Sequence, residues 1–136
     1  MGSRLYSTVV VLTIGAGVFH FTQSPIDAQA PSPALGFTAA QAERGADAYA
    51  EHCASCHGPN LDDGAFAPAI SGVDFRQRWT SPLPLFTAMN EKMPPASPGS
   101  LGEKTYVDLL AFILSENGIR PGERDLPDPD ALGAIA

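Results

Sequence analysis

The sequence predicts an all-α fold of three to five helices. In several segments the apolar residues recur every three or four positions, as they do on one face of a helix. Residues that favour helix starts and stops flank these segments. No two segments of alternating polarity are joined by a hairpin signal, so no β-sheet is expected. With 136 residues, the chain should form one domain.

The N-terminal residues have the layout of a secretory signal. Arg4 precedes the apolar run of residues 5–21, and polar and then small residues follow it. We predict a signal peptide over residues 1–28, cleaved after Ala28, and a linker over residues 29–37, which contain two prolines. Because the apolar run is near the short limit for a membrane span, an uncleaved anchor is the alternative.

A helix is predicted from Ala39 to about His52. Thr38 and Gln41 have the spacing of a capping box at its start. Four of its residues lie on one face: Ala42, Gly45, Ala46 and Tyr49. Glycine costs about 1 kcal/mol relative to alanine inside a helix, so Gly45 is expected to leave a gap where another helix approaches closely.

The sequence Cys53-Ala54-Ser55-Cys56-His57 follows this helix directly. Cys-x-x-Cys-His attaches c-type haem: each thiol adds to a haem vinyl group, and the histidine binds the iron. A zinc site would need more soft ligands, and the chain has only two cysteines. A thioredoxin-like pair would need flanking βαβ elements, and a disulfide within the motif would close a strained loop. We therefore predict one covalent haem c, held by Cys53 and Cys56, with His57 as an iron ligand.

The loop of residues 58–72 follows the motif and contains Pro68, eleven residues after His57. A metal-bound imidazole needs an acceptor for its second ring N–H, and a loop carbonyl is a common one. We predict that the Pro68 carbonyl accepts this hydrogen bond from His57.

The second iron ligand has four candidates: His20, His52, Met89 and Met93. His20 lies in the predicted signal peptide, and His52 adjoins the haem motif and cannot reach the opposite face of the haem. Met89 lies on a predicted helical face, where a methionine usually packs into the core. Met93 precedes a proline that holds it in an extended loop, and it is the predicted ligand.

Two helices are predicted between the motif and Met93. A short one begins at Asp74 and places Phe75 and Trp79 on one side. The other begins at Pro84, because proline suits the first helical position. It ends at Lys92, since Met93 stands before a proline.

The last long helix is predicted to begin with Ser100 and Glu103 as a capping pair. It should end near Glu116, because Gly118 follows. Its apolar stripe consists of Tyr106, Leu109, Leu110, Ile113 and Leu114. Residues 119–136 are rich in proline and aspartate, and we predict a tail that wraps the surface or frays.

The formal net charge of the chain is −7. This acidity argues against binding to nucleic acid or to an anionic membrane surface, and it favours protein partners with basic docking patches. Acidity that merely keeps a small exported protein soluble is the alternative interpretation. Contact with a membrane is expected only if the N-terminal segment is not cleaved.

These features together resemble the class I cytochromes c. The similarity covers nearly the whole predicted mature chain, at Gly45-x-x-x-Tyr49, Cys53-x-x-Cys56-His57-Gly58, Pro68-x-x-x-Gly72, Met93-Pro94 and the helix from Tyr106 to Leu114. A narrower set resembles the monohaem cytochromes associated with quinoprotein alcohol dehydrogenases: Phe75, Trp79, Met93-Pro94-Pro95, Pro98-Gly99-Ser100-Leu101 and Tyr106 to Asn117.

The resemblance implies a small cytochrome c fold wrapped around one covalent haem, here over residues 38–118. It implies that Gly45 and Tyr49 pack crosswise against the last helix, near Leu110 and Phe112. It also implies that Trp79 hydrogen-bonds a haem propionate, with Arg76 or Arg78 nearby; a core tryptophan and two solvated arginines are the alternative.

The expected function is electron transfer in the periplasm rather than enzymatic catalysis. Export fits the predicted haem, because covalent haem attachment takes place outside the cytoplasm in bacteria. The expected partners are redox proteins with basic docking patches, namely a quinoprotein dehydrogenase as donor and a terminal oxidase or another cytochrome as acceptor. Two alternatives are a subunit held tightly by a quinoprotein dehydrogenase and a gas-binding haem protein with an open iron site.

Overall fold

The computed structural model of the chain describes residues 36–133. Within this range the helices are α1 (Ala39–His52), α2 (Ala54–His57), α3 (Val73–Arg78), α4 (Pro82–Lys92), α5 (Glu103–Glu116) and α6 (Pro129–Leu132). No strand occurs between residues 36 and 133, and the all-α prediction is confirmed. Of the described helices, none is long and apolar enough to cross a membrane. The predicted signal peptide, residues 1–28, lies outside the described residues.

The centre of the fold is the crossing of α1 and α5. A Cβ at Gly45 would overlap the backbone carbonyl of Asp108 and would lie 2.8 Å from the Cβ of Phe112. Only a glycine therefore permits this approach of the two helices. One turn further on, the rings of Tyr49 and Phe112 pack with centroids 5.2 Å apart. The close approach predicted at Gly45, and its position near Phe112, are confirmed.

The start of α1 differs in one respect from the predicted capping box. The Thr38 side chain accepts a hydrogen bond from the Gln41 N–H at 3.1 Å, as predicted. The Gln41 side chain does not return the bond to Thr38. Its Oε1 instead accepts from the Leu126 N–H at 2.8 Å, so the glutamine joins the helix to the C-terminal tail.

Two other helix starts also differ from their predictions. Helix α4 begins at Pro82, two residues before Pro84, because either proline suits the first turn. The predicted capping pair of Ser100 and Glu103 does not form. Gly102 is the N-cap of α5 without a side-chain cap, and the Ser100 N–H belongs to a turn closed by the Ser97 carbonyl.

Residues 119–133, named here the C-terminal strap, are packed more closely than the sequence predicts. The Leu126 side chain is 5 % exposed, and that of Leu132 is fully buried. The Gly122 N–H donates to the Phe37 carbonyl at 2.7 Å, which fixes the strap against the chain just before α1. Of the two predicted alternatives, the strap therefore follows the first: most of its residues are exposed and it lies along the surface, where Leu126 and Leu132 anchor it. The sequence did not predict the anchor at Leu126, because a single leucine between prolines has no periodic pattern.

Candidate haem-binding site

Helix α2 contains Cys56 and His57 in a single turn. The N–H groups of both residues donate to the Cys53 carbonyl at 3.0 Å. This turn brings the two thiols and the imidazole into one short segment of backbone. Both cysteines are free and partly exposed, and burial, with a contribution from Cys56, raises the pKa of the Cys53 thiol to about 11. Between residues 36 and 133, no group of three or more metal-ligating His, Cys, Asp or Glu side chains occurs.

The imidazole of His57 is held by the loop that follows. Its Nδ1 lies 2.8 Å from the carbonyl oxygen of Pro68. Because that oxygen can only accept, Nδ1 must carry the proton, and Nε2 then keeps its lone pair for a metal. The structure thus brings together the two residues that the sequence singled out for this contact.

The same loop lies directly against the haem motif. A Cβ at Gly64 would overlap the Cys56 carbonyl and the backbone of His57. The Tyr49 hydroxyl donates to the Gly58 carbonyl at 2.6 Å, and burial raises the pKa of that hydroxyl to about 12, so it remains a donor. These contacts were not predicted from the sequence. Gly64 in a glycine-rich loop was the available signal, because glycine permits such a close backbone approach.

Met93 is the C-cap of α4, in the extended conformation that the following proline predicts. Its N–H donates to the Met89 carbonyl at 2.9 Å. Its carbonyl accepts from the Tyr106 hydroxyl at 2.6 Å, and from the Gly99 N–H at 3.4 Å. The backbone of the predicted second ligand is therefore fixed from both sides. The Met89 side chain, by contrast, packs against the hydrophobic core.

Trp79 ends α3 and is partly buried. Its ring packs against Phe75 with centroids 6.5 Å apart. It also lines a surface groove with residues of α4, namely Leu83, Pro84, Thr87, Ala88, Glu91 and Lys92. Arg76 and Arg78, on the same short helix, are exposed. A propionate contact of Trp79 or of either arginine remains a prediction.

The matching family model decides what this site is. The model described as cytochrome C oxidase, cbb3-type, subunit III matches residues 40–113, which include the haem motif, Pro68 and Met93. The chain belongs to this family. It is accordingly a cytochrome c with covalently bound haem c, and its role is haem-based electron transfer. No curated protein and no solved structure was found to match the chain.

The residues of this cytochrome c suit a haem c. Two free thiols stand on one turn with an imidazole whose second nitrogen is already engaged by a carbonyl. A methionine, the residue type that completes the iron site of many cytochromes c, stands on a fixed backbone. The two thiols and the imidazole are therefore the groups that covalent attachment of a haem c requires.

Proposed function

We propose that this cytochrome c is a periplasmic electron carrier whose haem iron is bound by His57 and Met93. The observation that carries the proposal is the contact of 2.8 Å between His57 Nδ1 and the Pro68 carbonyl, because it leaves Nε2 as the ligating nitrogen. The bound haem supplies a one-electron couple between ferric and ferrous iron. The protein contributes the ligands, their orientation and an apolar surrounding.

The proposed ligands stand on backbone that has little freedom to move. His57 is held by the turn of α2 and by the Pro68 carbonyl, and Met93 is held by Tyr106. Ligands that keep their positions in both oxidation states allow fast electron transfer with little rearrangement. A thioether ligand also raises the reduction potential.

The proposed partners follow from charge. Glu43, Asp47 and Glu51 are spaced four residues apart on α1, are all exposed, and lead towards the haem motif. With the formal charge of −7, this row of carboxylates favours a partner with a basic docking patch. We propose a quinoprotein dehydrogenase as donor, on the narrower resemblance of the sequence, and a terminal oxidase or another cytochrome as acceptor.

A second candidate is a subunit of a larger redox complex. The description of the matching family, a subunit of a cytochrome c oxidase, favours it. Mild purification separates the two candidates. A carrier elutes alone at the size of one chain, whereas a subunit co-purifies with its complex.

Substitution of Met93 tests the iron ligation. In Met93→Ala, the absorption band of sulfur-ligated ferric iron should disappear, the reduction potential should fall, and the ferrous protein should bind carbon monoxide. Met89→Leu is the matched control, because Met89 packs into the core and a leucine preserves that packing at a cost of less than about 1.5 kcal/mol.

The control should keep the absorption band and the potential. Loss of the band in Met89→Leu alone would assign the ligand to Met89 instead. Ready binding of carbon monoxide by the unmodified ferrous protein would contradict the electron-carrier proposal and favour a gas-binding haem protein.

A further inference from the structure

Asn117 is a buried polar residue for which the proposed function gives no role. It is the C-cap of α5, and the residue is 8 % exposed. Its Nδ2 donates to the Ile113 carbonyl in its own helix at 2.8 Å and to the Ile70 carbonyl at 3.0 Å. The second bond connects α5 to the loop that follows the haem motif.

Ile70 stands two residues after the carbonyl that faces the proposed iron ligand. Its N–H donates to the Leu61 carbonyl at 2.7 Å, and its own carbonyl accepts from Asn117. Both backbone groups of Ile70 are therefore fixed, one within the loop and one by α5. Because two residues of backbone give little slack, the position of Ile70 restricts that of the Pro68 carbonyl, 2.8 Å from His57 Nδ1.

The ending of α5 does not by itself explain an asparagine at this position. Gly118 provides the left-handed residue that ends the helix, at φ 90°. The N–H groups of Gly118 and Ile119 already satisfy the carbonyls of Ser115 and Leu114, at 2.9 and 3.1 Å. These backbone groups would close the helix with another residue in place of Asn117.

Asn117 also has an energetic cost. Its Oδ1 is buried and has no hydrogen-bond partner among residues 36–133. A buried acceptor without a partner is destabilising, and an apolar side chain of similar volume would avoid that cost. Such a side chain could not donate to the Ile70 carbonyl. The hydrogen bond to the Ile70 carbonyl is therefore the contribution of Asn117 that an apolar residue could not replace.

We propose that Asn117 is a positioning residue for the axial ligand: by anchoring Ile70 it holds the Pro68 carbonyl against His57 Nδ1. The inference rests on the proposed ligation of iron by His57. A hydrogen bond from Nδ1 makes an imidazole a more basic ligand, which favours ferric iron. Loosening this bond should therefore raise the reduction potential and expose the Nδ1 proton to exchange with solvent.

Two variants of the haem-loaded protein test the inference. Asn117→Leu removes the donor at similar volume, and Asn117→Ser leaves a hydroxyl too short to reach Ile70, so it carries the test if the leucine variant does not fold. In both, the Nδ1 proton of His57 should exchange about fivefold faster by NMR, as expected from the loss of one hydrogen bond. Their reduction potentials should be higher than that of the unmodified protein.

Gly118→Ala is the matched control. Alanine is strained at φ 90°, but its Cβ would meet no atom within 4 Å, so it weakens the same helix end without touching the loop. It should lower the thermal midpoint and leave both the exchange rate and the potential unchanged. The inference would be overturned if both Asn117 variants kept the exchange rate and the reduction potential of the unmodified protein. It would also be overturned if Gly118→Ala changed these two quantities as much as the Asn117 variants do.

The NMR spectrum also separates this inference from the proposal on which it rests. In the unmodified protein, a His57 Nδ1 proton shifted by the haem ring current shows that the imidazole binds the iron. If this signal is absent, the proposed ligation is wrong and the inference is wrong with it. If the signal is present and does not respond to Asn117, only the role of Asn117 is refuted.

Discussion

The two ends of α1 are completed in different ways. At its N-terminal end, Arg44 joins Asp108 of α5 to Asp125 of the C-terminal strap, at 3.1 and 3.3 Å, and the neighbouring Leu126 is buried. Beyond its C-terminal end lies the segment of residues 58–81, named here the haem-side segment. Its only buried residues are Gly58 and Leu61. Phe66 is 85 % exposed and Val73 is 59 % exposed in the same segment.

From this difference we expect the haem-side segment to depend on the cofactor more than the α1–α5 crossing does. The α1–α5 crossing and the strap bury apolar residues, and side-chain hydrogen bonds of Arg44 and Gln41 join them. The haem-side segment is held mainly by single contacts, such as the one between Ile70 and Leu61. Apolar surface stabilises a fold by about 25 cal/mol per Å² once it leaves water. We therefore expect a covalent haem to stabilise this side more than the α1–α5 crossing.

Loss of haem attachment should produce the largest difference in local stability between the haem-side segment and the α1–α5 crossing. In the double variant Cys53→Ala and Cys56→Ala, we expect the haem-side segment to lose its amide protection, with a local opening free energy near 0 kcal/mol. Amides in the middle of α1 and α5 should stay protected, because these two helices pack directly against each other at Gly45 and at the Tyr49–Phe112 ring contact. Hydrogen exchange read by mass spectrometry measures both regions in one sample, and the haem-loaded protein is the control. An equal loss of protection in both regions would contradict the proposed difference in their dependence on haem.

Substitution of Gly45 should have the next largest effect on stability. It acts on the α1–α5 crossing, where the two helices pack directly against each other. Gly45→Ala gains about 1 kcal/mol of helix propensity. Its Cβ, however, overlaps the Asp108 carbonyl, and overpacking against backbone costs about 1–3 kcal/mol or more, so the variant should be destabilised on balance. Urea unfolding of the haem-loaded protein measures the difference.

The matched control for Gly45→Ala is Ala50→Gly, at an exposed position of the same helix. It should lose about 1 kcal/mol from propensity alone. If Gly45→Ala proves more stable than the unmodified protein by that same amount, α1 and α5 do not approach as closely as described.

Local signals in the sequence predicted the parts of the site that are close together in the chain. The motif from Cys53 to His57 needs only one turn, and Met93 is extended because a proline follows it. The strap and Asn117 were not predictable in this way. Their contacts join single polar atoms or single leucines across tens of residues, as between Asn117 and Ile70, and no periodicity marks them.

The ion pairs of Asp108 give the smallest expected effect and make the comparison sensitive to pH. Burial alone would raise the pKa of this carboxyl, but hydrogen bonds from Arg44 and Lys104 outweigh burial and leave the pKa below its ordinary value. A carboxyl with a lowered pKa stabilises the fold above the ordinary pKa of about 3.9, and this contribution disappears as the pH falls through its lowered value.

Asp108→Asn should therefore cost about 0.5–1 kcal/mol at pH 7, because an amide keeps the shape but loses the charged hydrogen bonds to Arg44 and Lys104, whose side chains are both solvent-exposed. The difference in stability between the variant and the unmodified protein should begin to shrink as the pH falls below about 3.9 and should vanish only below the lowered pKa of Asp108. Asp47→Asn, at an exposed position of α1, is the control and should stay within about 0.5 kcal/mol at every pH. Thermal unfolding of the haem-loaded proteins between pH 3 and 7 measures all three. A gap between Asp108→Asn and the unmodified protein that persisted at low pH would mean that shape, rather than charge, joins α5 to α1 and the strap.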